Sequence, residues 1–433
     1  MVKYYIETYG CVANKVDSEI VMAALASSGW ERVESPEEAD VTIINSCAVK
    51  EKTIAHMLAR IRRLSPISKK LVVMGCLADV LPEEIKKIRG DSIAFGPRRF
   101  RELGEALGVR LPERKAGVPK LRTEPYVASV VICEGCTGAC TYCATKIARK
   151  YLKSFRPGDI VREIREAVAE GRKEIRITAQ DTGAYGRDIG TNLVELLCAV
   201  LDSVEGEYRI RVGMMNVEHA LQLVDSGLLD VYKDDRVYKF FHVPVQSGNN
   251  RILGLMGRQY SVEDFRELIK KIRGAFPLAS ISTDIIVGFP TESWEEFLDS
   301  VRIVEELRID VLNISRYSAI PGTPAARMRG QVPSNEKKRR SKYLTEVHLR
   351  VSKEWNEQYL GEKFRALFIE KGRRGGTVGR TEHYKPVVVG GDVIGTFKEV
   401  RIVGAEPLYL KGELEQCKGA NTPVRPDLTN AET

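Results

Sequence analysis

Short apolar runs alternate with segments of helical period through residues 1–111. "KYYIETYG", "DVTIINSC" and "KKLVVMGC" read as strands, and "DSEIVMAALASSG", "TIAHMLARIRRL" and "PEEIKKIRG" as the helices that follow them. Such alternation predicts an open parallel sheet with helices on both faces. The stretch "LPERKAGVPKLRTEP", carrying Lys, Gly and Pro, then reads as a linker.

Residues 126–355 repeat the alternation with six strand candidates: "ASVVICEGC", "KEIRITAQ", "YRIRVGMM", "YKFFHVPV", "SISTDIIVGF" and "DVLNISRY". In "SWEEFLDSVRIVEEL", Trp294, Phe297, Leu298, Val301, Val304 and Leu307 fall on one helical face at three- and four-residue steps. Six β/α units predict a partial (β/α)6 barrel, open on one side, with its ligands at the carboxyl ends of the strands. Residues 356–418 differ in kind. Short alternating strands between Gly-containing turns predict a small all-β barrel. Its basic run "EKGRRGG" and the aromatics Tyr384 and Phe397 suit an RNA backbone and its bases. The same residues also read as a solvated turn and core aromatics. The fold class is α/β with an all-β appendage.

Composition changes this picture little. With 43% hydrophobic and 29% charged residues among 433, the chain can bury several cores. No uninterrupted apolar run reaches the ~18 residues of a membrane span. The N-terminus, "MVKYYIETYGCVANKVDSE", meets acid too early for a signal peptide. A cytoplasmic location is expected. Lys and Arg number 67 against 59 Asp and Glu, a net charge of +8. That excess is compatible with a polyanionic partner such as a nucleic acid, and equally with a generic basic surface.

The nine cysteines carry the chemistry. In a reducing compartment they are poor candidates for structural disulfides. Cys198, in the amphipathic "NLVELLCAVLDSV", is expected to pack in a core as a small hydrophobe. Cys417 lies in a polar tail and carries no expected role. Cys136, Cys140 and Cys143 form a C-x3-C-x2-C row in "EGCTGACTYCATKIARK". Structural zinc prefers four ligands in two short pairs, and soft thiolates also select iron–sulfur clusters. Cys133 belongs to the strand before the row and reads as structural. Three thiols on one loop can hold three irons of a 4Fe–4S cubane. The fourth iron then stays open to chelate the amino and carboxylate groups of S-adenosylmethionine.

At these residues the sequence resembles the radical S-adenosylmethionine superfamily. The resemblance implies that Tyr142 just before Cys143, Gln180 and Asp181 in "RITAQDTGAYGRD", Gln246 and Asn249 in "HVPVQSGNN", and Asp284 in "STDIIVGFPTE" contact that cofactor. Cys11, Cys47 and Cys76 each close an apolar strand, and in a parallel sheet such strand ends converge on one crevice. Three strand-end cysteines, then the row, then a small β barrel, look like the methylthiotransferase family. "TYGCVANKVDSE", "INSCAVKEKT" and "GCTGACTYCATKIAR" look most like its archaeal and eukaryotic branch, which acts on N6-threonylcarbamoyladenosine in tRNA.

Membership would imply a second 4Fe–4S cluster on Cys11, Cys47 and Cys76. It would also imply a TRAM-type RNA-binding barrel, and replacement of the adenosine C2 hydrogen by a methylthio group next to the anticodon. tRNA, an electron donor and a sulfur source would be the partners. Sister activities on another tRNA adenosine or on a ribosomal-protein aspartate are the nearest alternatives, and a non-catalytic iron–sulfur RNA-binding protein a more distant one. Lys150 departs from the pattern, standing where relatives usually carry Gly, which leaves open the conformation of the following loop.

Overall fold

The computed structural model describes residues 1–373 and 375–415. Cys417 and the last residues of the expected third segment lie outside the described residues.

The N-terminal region is a parallel sheet of β1 (Lys3–Thr8), β2 (Glu31–Arg32), β3 (Val41–Ser46), β4 (Lys70–Gly75) and β5 (Ile93–Phe95), ordered β2-β1-β3-β4-β5. The three expected strands are its centre. The two edge strands are too short to carry a periodic signal. Helices α1 (Val12–Ser27), α2 (Glu51–Leu64), α3 (Cys76–Val80), α4 (Pro82–Ile88) and α5 (Phe100–Leu107) connect and follow the strands. Alternation divides the central strands between two cores: Ile43, Val72 and Met74 join one, and Ile44, Leu71 and Val73 the other. The second core receives Ile54, Met57, Ile61 and Leu64 of α2, spaced for one helical face.

The first core does not stop at the domain. It runs from Val16 and Ile20 of α1 into Ala128, Val130 and Ile177 of the next region. The segment expected as a free linker is built into this junction. Leu121 N–H donates to the Glu19 carbonyl (3.0 Å), and Gly117 N–H to Glu163 (2.8 Å). Lys115 and Lys120 there are buried in ion pairs.

The central region holds β6 (Val127–Val131), the short antiparallel pair β7 (Cys133–Glu134) and β8 (Lys153–Ser154), then β9 (Glu174–Thr178), β10 (Arg209–Val212), β11 (Phe240–His242), β12 (Ser280–Val287) and β13 (Val311–Arg316). β6, β9 and β10 pair in parallel, as do β11, β12 and β13, and an Ile210–Val237 bridge joins the two trios. This is the expected partial barrel of six parallel strands.

Its helices are α6 (Thr145–Arg149), α7 (Pro157–Ala169), α8 (Leu193–Ser203), α9 (Val217–Asp225), α10 (Leu228–Val231), α11 (Asn250–Leu255), α12 (Val262–Ala275), α13 (Trp294–Glu306) and α14 (Ser334–Asn356). Ser261 and Ser293 close capping boxes on α12 and α13, fixing where those helices begin. In α8 the buried face is Leu193, Leu196, Leu197 and Val200, which leaves Cys198 exposed rather than in the core. A hydrophobic segment has a polar side too, and Cys198 falls on it.

Strands β14 (Lys363–Lys371), β15 (Thr377–Arg380), β16 (Pro386–Val389), β17 (Thr396–Ala405) and β18 (Leu410–Leu414) close a barrel in the order β14-β15-β16-β18-β17. Phe364, Phe368, Val387, Val400 and Leu410 fill it. Tyr384 is turned inward, against the expectation of a base-stacking surface. Its hydroxyl donates to Glu174 of β9 (3.0 Å), and its ring packs on Tyr238 and Phe240. Tyr384 anchors the small barrel to the large one. Phe397 is half-buried, with the Arg365 guanidinium 5.0 Å from its ring centre. Lys371 at the end of β14 and Arg373 just beyond it are exposed.

Candidate active site

Cys11, Cys47 and Cys76 follow β1, β3 and β4, three adjacent strands whose register sets Thr8 beside Asn45 and Ser46 beside Gly75. Gly75 has φ +94°, and a Cβ there would lie 2.5 Å from the Ser46 carbonyl oxygen, so only glycine turns the chain into Cys76. Gly10 (φ +109°) likewise sits where a Cβ would meet Cys47 at 2.9 Å. Asn14 ties these strand ends together. Its Nδ2 donates to the Tyr9 (2.9 Å) and Ser46 (3.0 Å) carbonyls, which leaves Oδ1 4.0 Å from Cys11 Sγ and 3.9 Å from Cys76 Sγ.

The second group is local. Beyond β7, Gly135 N–H donates to Gln180 Oε1 (2.8 Å) and Gly138 N–H to Cys136 Sγ (3.2 Å). The loop is pinned to distant elements through Thr141, which bonds the Leu255, Met256 and Ala325 backbones. A Cβ on Gly138 would stand 3.4 and 3.7 Å from the Cys136 and Cys140 sulfurs, so these two thiols flank one backbone turn. Cys133 points away, fully buried, toward the Asp181 carbonyl (3.7 Å).

All six thiols line one cavity of about 360 Å³. A wider surface groove between Arg62 and Lys87 holds no thiol. Two distant sequence motifs therefore converge on a single space.

Residues 3–96 match the model of uncharacterized protein family UPF0004, residues 130–304 that of the radical SAM superfamily, and residues 357–414 that of the TRAM domain. A probable threonylcarbamoyladenosine tRNA methylthiotransferase of Pyrococcus horikoshii is 44% identical, covering 96% of this chain and all of that one. The threonylcarbamoyladenosine tRNA methylthiotransferase of Xenopus laevis is 34% identical over 97% of this chain and 78% of its own. The chain belongs to the radical SAM methylthiotransferase family. Among solved structures, the radical S-adenosylmethionine methyltransferase TsrM of Kitasatospora setae, with cobalamin and a [4Fe-4S] cluster bound, shares the fold at TM-score 0.57 and 16% identity. The match covers 75% of this chain and 76% of that one.

The cofactors of this methylthiotransferase family are 4Fe–4S clusters and S-adenosylmethionine. The donor set fits: two groups of three thiols, with no fourth cysteine lining the cavity among the described residues. Among the described residues no three Cys, His, Asp or Glu side chains close on a point suited to one metal ion. Cubane thiolates, each on a different iron, stand further apart than that. Burial pushes the Cys76 thiol up to about 12 and Cys136 to about 11, and raises Cys47 and Cys140 as well. Iron bound by these thiols would displace their buried protons.

Tyr142, Gln180, Asp181, Gln246 and Asp284 line the cavity. Gln180 is engaged with Gly135, and the Asp181 carboxylate accepts from Gly183 N–H, Asn216 N–H and His219 Nδ1. Asp284 bonds His242 (3.2 Å) and Asn313 (2.7 Å). Burial raises its pKa, but these partners hold it below the usual carboxylate value. Gln246 adopts φ +71°, a strained conformation at the cavity wall.

Asn249 is set apart from this group. Its Oδ1 caps α11 at Arg251 and Ile252 N–H, and its Nδ2 donates to Asp299. The expected cofactor contact gives way to helix capping. Sequence reading passed over Arg258, which donates to the Tyr142 hydroxyl (2.6 Å) and Asn216 (3.3 Å), and over Asn14 and Arg149. Asn14 sits in the quoted "GCVANKVDSE", and Arg149 ends the cysteine motif. A polar residue three positions after a strand-end cysteine was the available signal.

Proposed function

We propose that this chain places a methylthio group on C2 of N6-threonylcarbamoyladenosine beside the tRNA anticodon. The observation that carries the reading is the convergence of both thiol triads on one cavity. Cys136, Cys140 and Cys143 would hold the cluster that receives S-adenosylmethionine, and Cys11, Cys47 and Cys76 the cluster that holds the sulfur. The bound cofactors supply reductive cleavage of S-adenosylmethionine and a transferable methylthio sulfur, which an unactivated aromatic carbon requires.

The chain's own residues orient and enclose. Arg258 fixes the Tyr142 hydroxyl, Gln180 holds Gly135 at the base of the cysteine loop, and Asp284 stays ionised within β12. Gln246 and Asp284 of the central barrel share the cavity with the N-terminal thiols and could frame a substrate there. A base splayed from a single-stranded anticodon loop can enter such a space. The exposed Lys371 and Arg373 of the small barrel suit the tRNA backbone.

The names of the relatives support this nucleoside. An external electron donor and a sulfur source are partners of this reading. A cytoplasmic location follows from the tRNA substrate, and no helix among the described residues is long and apolar enough to cross a membrane. Anaerobic reconstitution with threonylcarbamoylated tRNA and S-adenosylmethionine, then mass spectrometry of digested nucleosides, tests the proposal. Methylthio mass on a ribosomal-protein aspartate and none on the nucleoside would overturn it.

A further inference from the structure

The start of α1 buries Asn14, Asp17, Ser18 and Glu19, none more than 3% exposed, where a helix on a sheet ordinarily buries apolar groups. Buried charge is costly unless paired, so the partners show what these residues serve. Asp17 pairs with Lys115 (2.8 Å) and with Arg149 (2.9 Å). Both cations also meet Glu134, Lys115 at 2.7 Å and Arg149 through Nη1. Two positive and two negative side chains thus form a closed, buried square. Its corners come from α1, the strap between domains, β7, and the end of α6.

Arg149 reaches further than the square. Nη2 donates to Asn14 Oδ1 (3.1 Å), the atom within 4.0 Å of the Cys11 and Cys76 sulfurs. Its side chain lines the thiol cavity, and its Nε–H is without a partner among the described residues. Glu134, its counter-ion, lies two residues before Cys136. Stability alone is a poor account of this arrangement, because buried ion pairs gain little over well-packed apolar groups.

We propose that Arg149 is a positioning and charge-balancing residue of the N-terminal thiol site. Its fixed positive charge offsets the negative charge gathered there when Cys11, Cys47 and Cys76 are thiolates. Glu134 sets how much of that charge the site feels, and ties it to the loop of the second triad. This rests on the reading that the N-terminal thiols hold a cluster.

The test uses the full chain with Cys136, Cys140 and Cys143 all replaced by Ala, reconstituted with iron and sulfide, so that one cluster remains. Iron content and visible absorbance report that cluster. Titration with dithionite, followed by electron paramagnetic resonance, reports its midpoint potential for uptake of one electron. Reduction adds negative charge, so a nearby cation favours it. Arg149→Met is expected to lower the potential and Glu134→Gln to raise it. The double variant, with Lys115 and Asp17 still balanced, is expected to return toward the parent.

A purely structural square would also regain stability once its charges balance in the double variant, but it would not shift the potential in opposite directions in the two single variants. Potentials unmoved by either single change, or moved in the same direction by both, overturn the inference. If Arg149→Met alone fails to hold iron, a raised potential in Glu134→Gln carries the proposal, since iron regained in the double variant would follow from charge balance alone. Failure of the double variant as well, with the Glu134→Gln potential unmoved, overturns it. A parent protein without iron overturns the two-site reading, and the inference with it.

Discussion

Cys11, Cys47 and Cys76 stand 36 and 29 residues apart and meet because β1, β3 and β4 are neighbours in one sheet. Cys136, Cys140 and Cys143 share eight residues of a single loop. The first triad is a product of register. A one-residue slip of a strand would turn its cysteine to the wrong face, and Gly10 and Gly75 are fitted so closely that no side chain is tolerated there. The second triad is a product of sequence spacing, and its position depends on a few tethers, chiefly Gln180 on Gly135 and Thr141 on the backbones around Leu255. The sheet site is therefore rigid and unforgiving in its backbone. The loop site is pinned at Gly135, where φ is +78° and a Cβ would run into the Tyr151 carbonyl, but it is open at Gly138 between its thiols.

Removing single ligands separates the two sites outright. Cys140→Ala is expected to reduce 5′-deoxyadenosine formation with dithionite to background. Cys47→Ala is expected to lose about half of the iron and all methylthiolated nucleoside while S-adenosylmethionine cleavage continues. Iron, 5′-deoxyadenosine and nucleoside measured on one sample decide the matter. A folded Cys47→Ala protein with full iron and normal product would break the comparison.

Glycine substitutions sharpen it. Gly75→Ala places a methyl group 2.4 Å from Asn45 Oδ1 at φ +94° and should cost about 3 kcal/mol of stability, with iron lost from the N-terminal site. Gly138→Ala meets only sulfurs at contact distance and should cost less than about 1 kcal/mol. Denaturant unfolding of both iron-free variants checks the contrast. Equal losses would remove the distinction between a rigid and a tolerant site.

Alkylation of the iron-free chain gives a smaller effect. Cys11 is exposed, whereas Cys47 and Cys76 are buried and their thiolates disfavoured by that burial. Iodoacetamide at pH 8 should label Cys11 at least roughly tenfold faster than Cys76, while the three loop thiols, all half-exposed, react within a narrower span. Peptide mass spectrometry over time reads the order. Uniform labelling of the N-terminal three would mean that the sheet does not enclose them without metal.

How much of this was legible follows the same division. The six central strands and the row of thiols were readable because periodicity and spacing are local properties of a sequence. The edge strands β2 and β5 were not, since two or three residues carry no period. Asn249 follows an apolar strand pattern, as a cofactor contact would, but Asn is also a preferred helix cap, and α11 begins at the next residue. Tyr384 has the composition of an RNA contact, yet its hydroxyl had a buried carboxylate to reach 210 residues away. The segment 111–125 has the residues of a linker, and only the folded structure shows that its lysines answer the carboxylates of α1 and α7. Buried polar partnerships across domains are the part that a single sequence conceals.

Lys150 lies where the two sites adjoin and gives the smallest predicted effect. It ends α6 at φ 48° and ψ −113°, a region that non-glycine residues enter only with strain. The chain holds Lys150 in a conformation that glycine adopts freely. Lys150→Gly should relieve that strain, offset in part by the greater freedom glycine gives the unfolded chain, for a net gain of about 1 kcal/mol. A second consequence separates backbone from charge. Asp79, half-buried behind Cys76, has its pKa raised by burial, and the Lys150 charge opposes that rise. A raised carboxyl pKa means stability present at low pH and lost as pH rises through that value, so removing Lys150 should enlarge this loss. The net gain of Lys150→Gly should therefore be larger at pH 4 than at pH 8. Denaturation midpoints of the iron-free protein at the two pH values check it. A gain of equal size at both would leave backbone strain as the whole of the effect, and a loss at both would show that the glycine conformation costs Lys150 nothing.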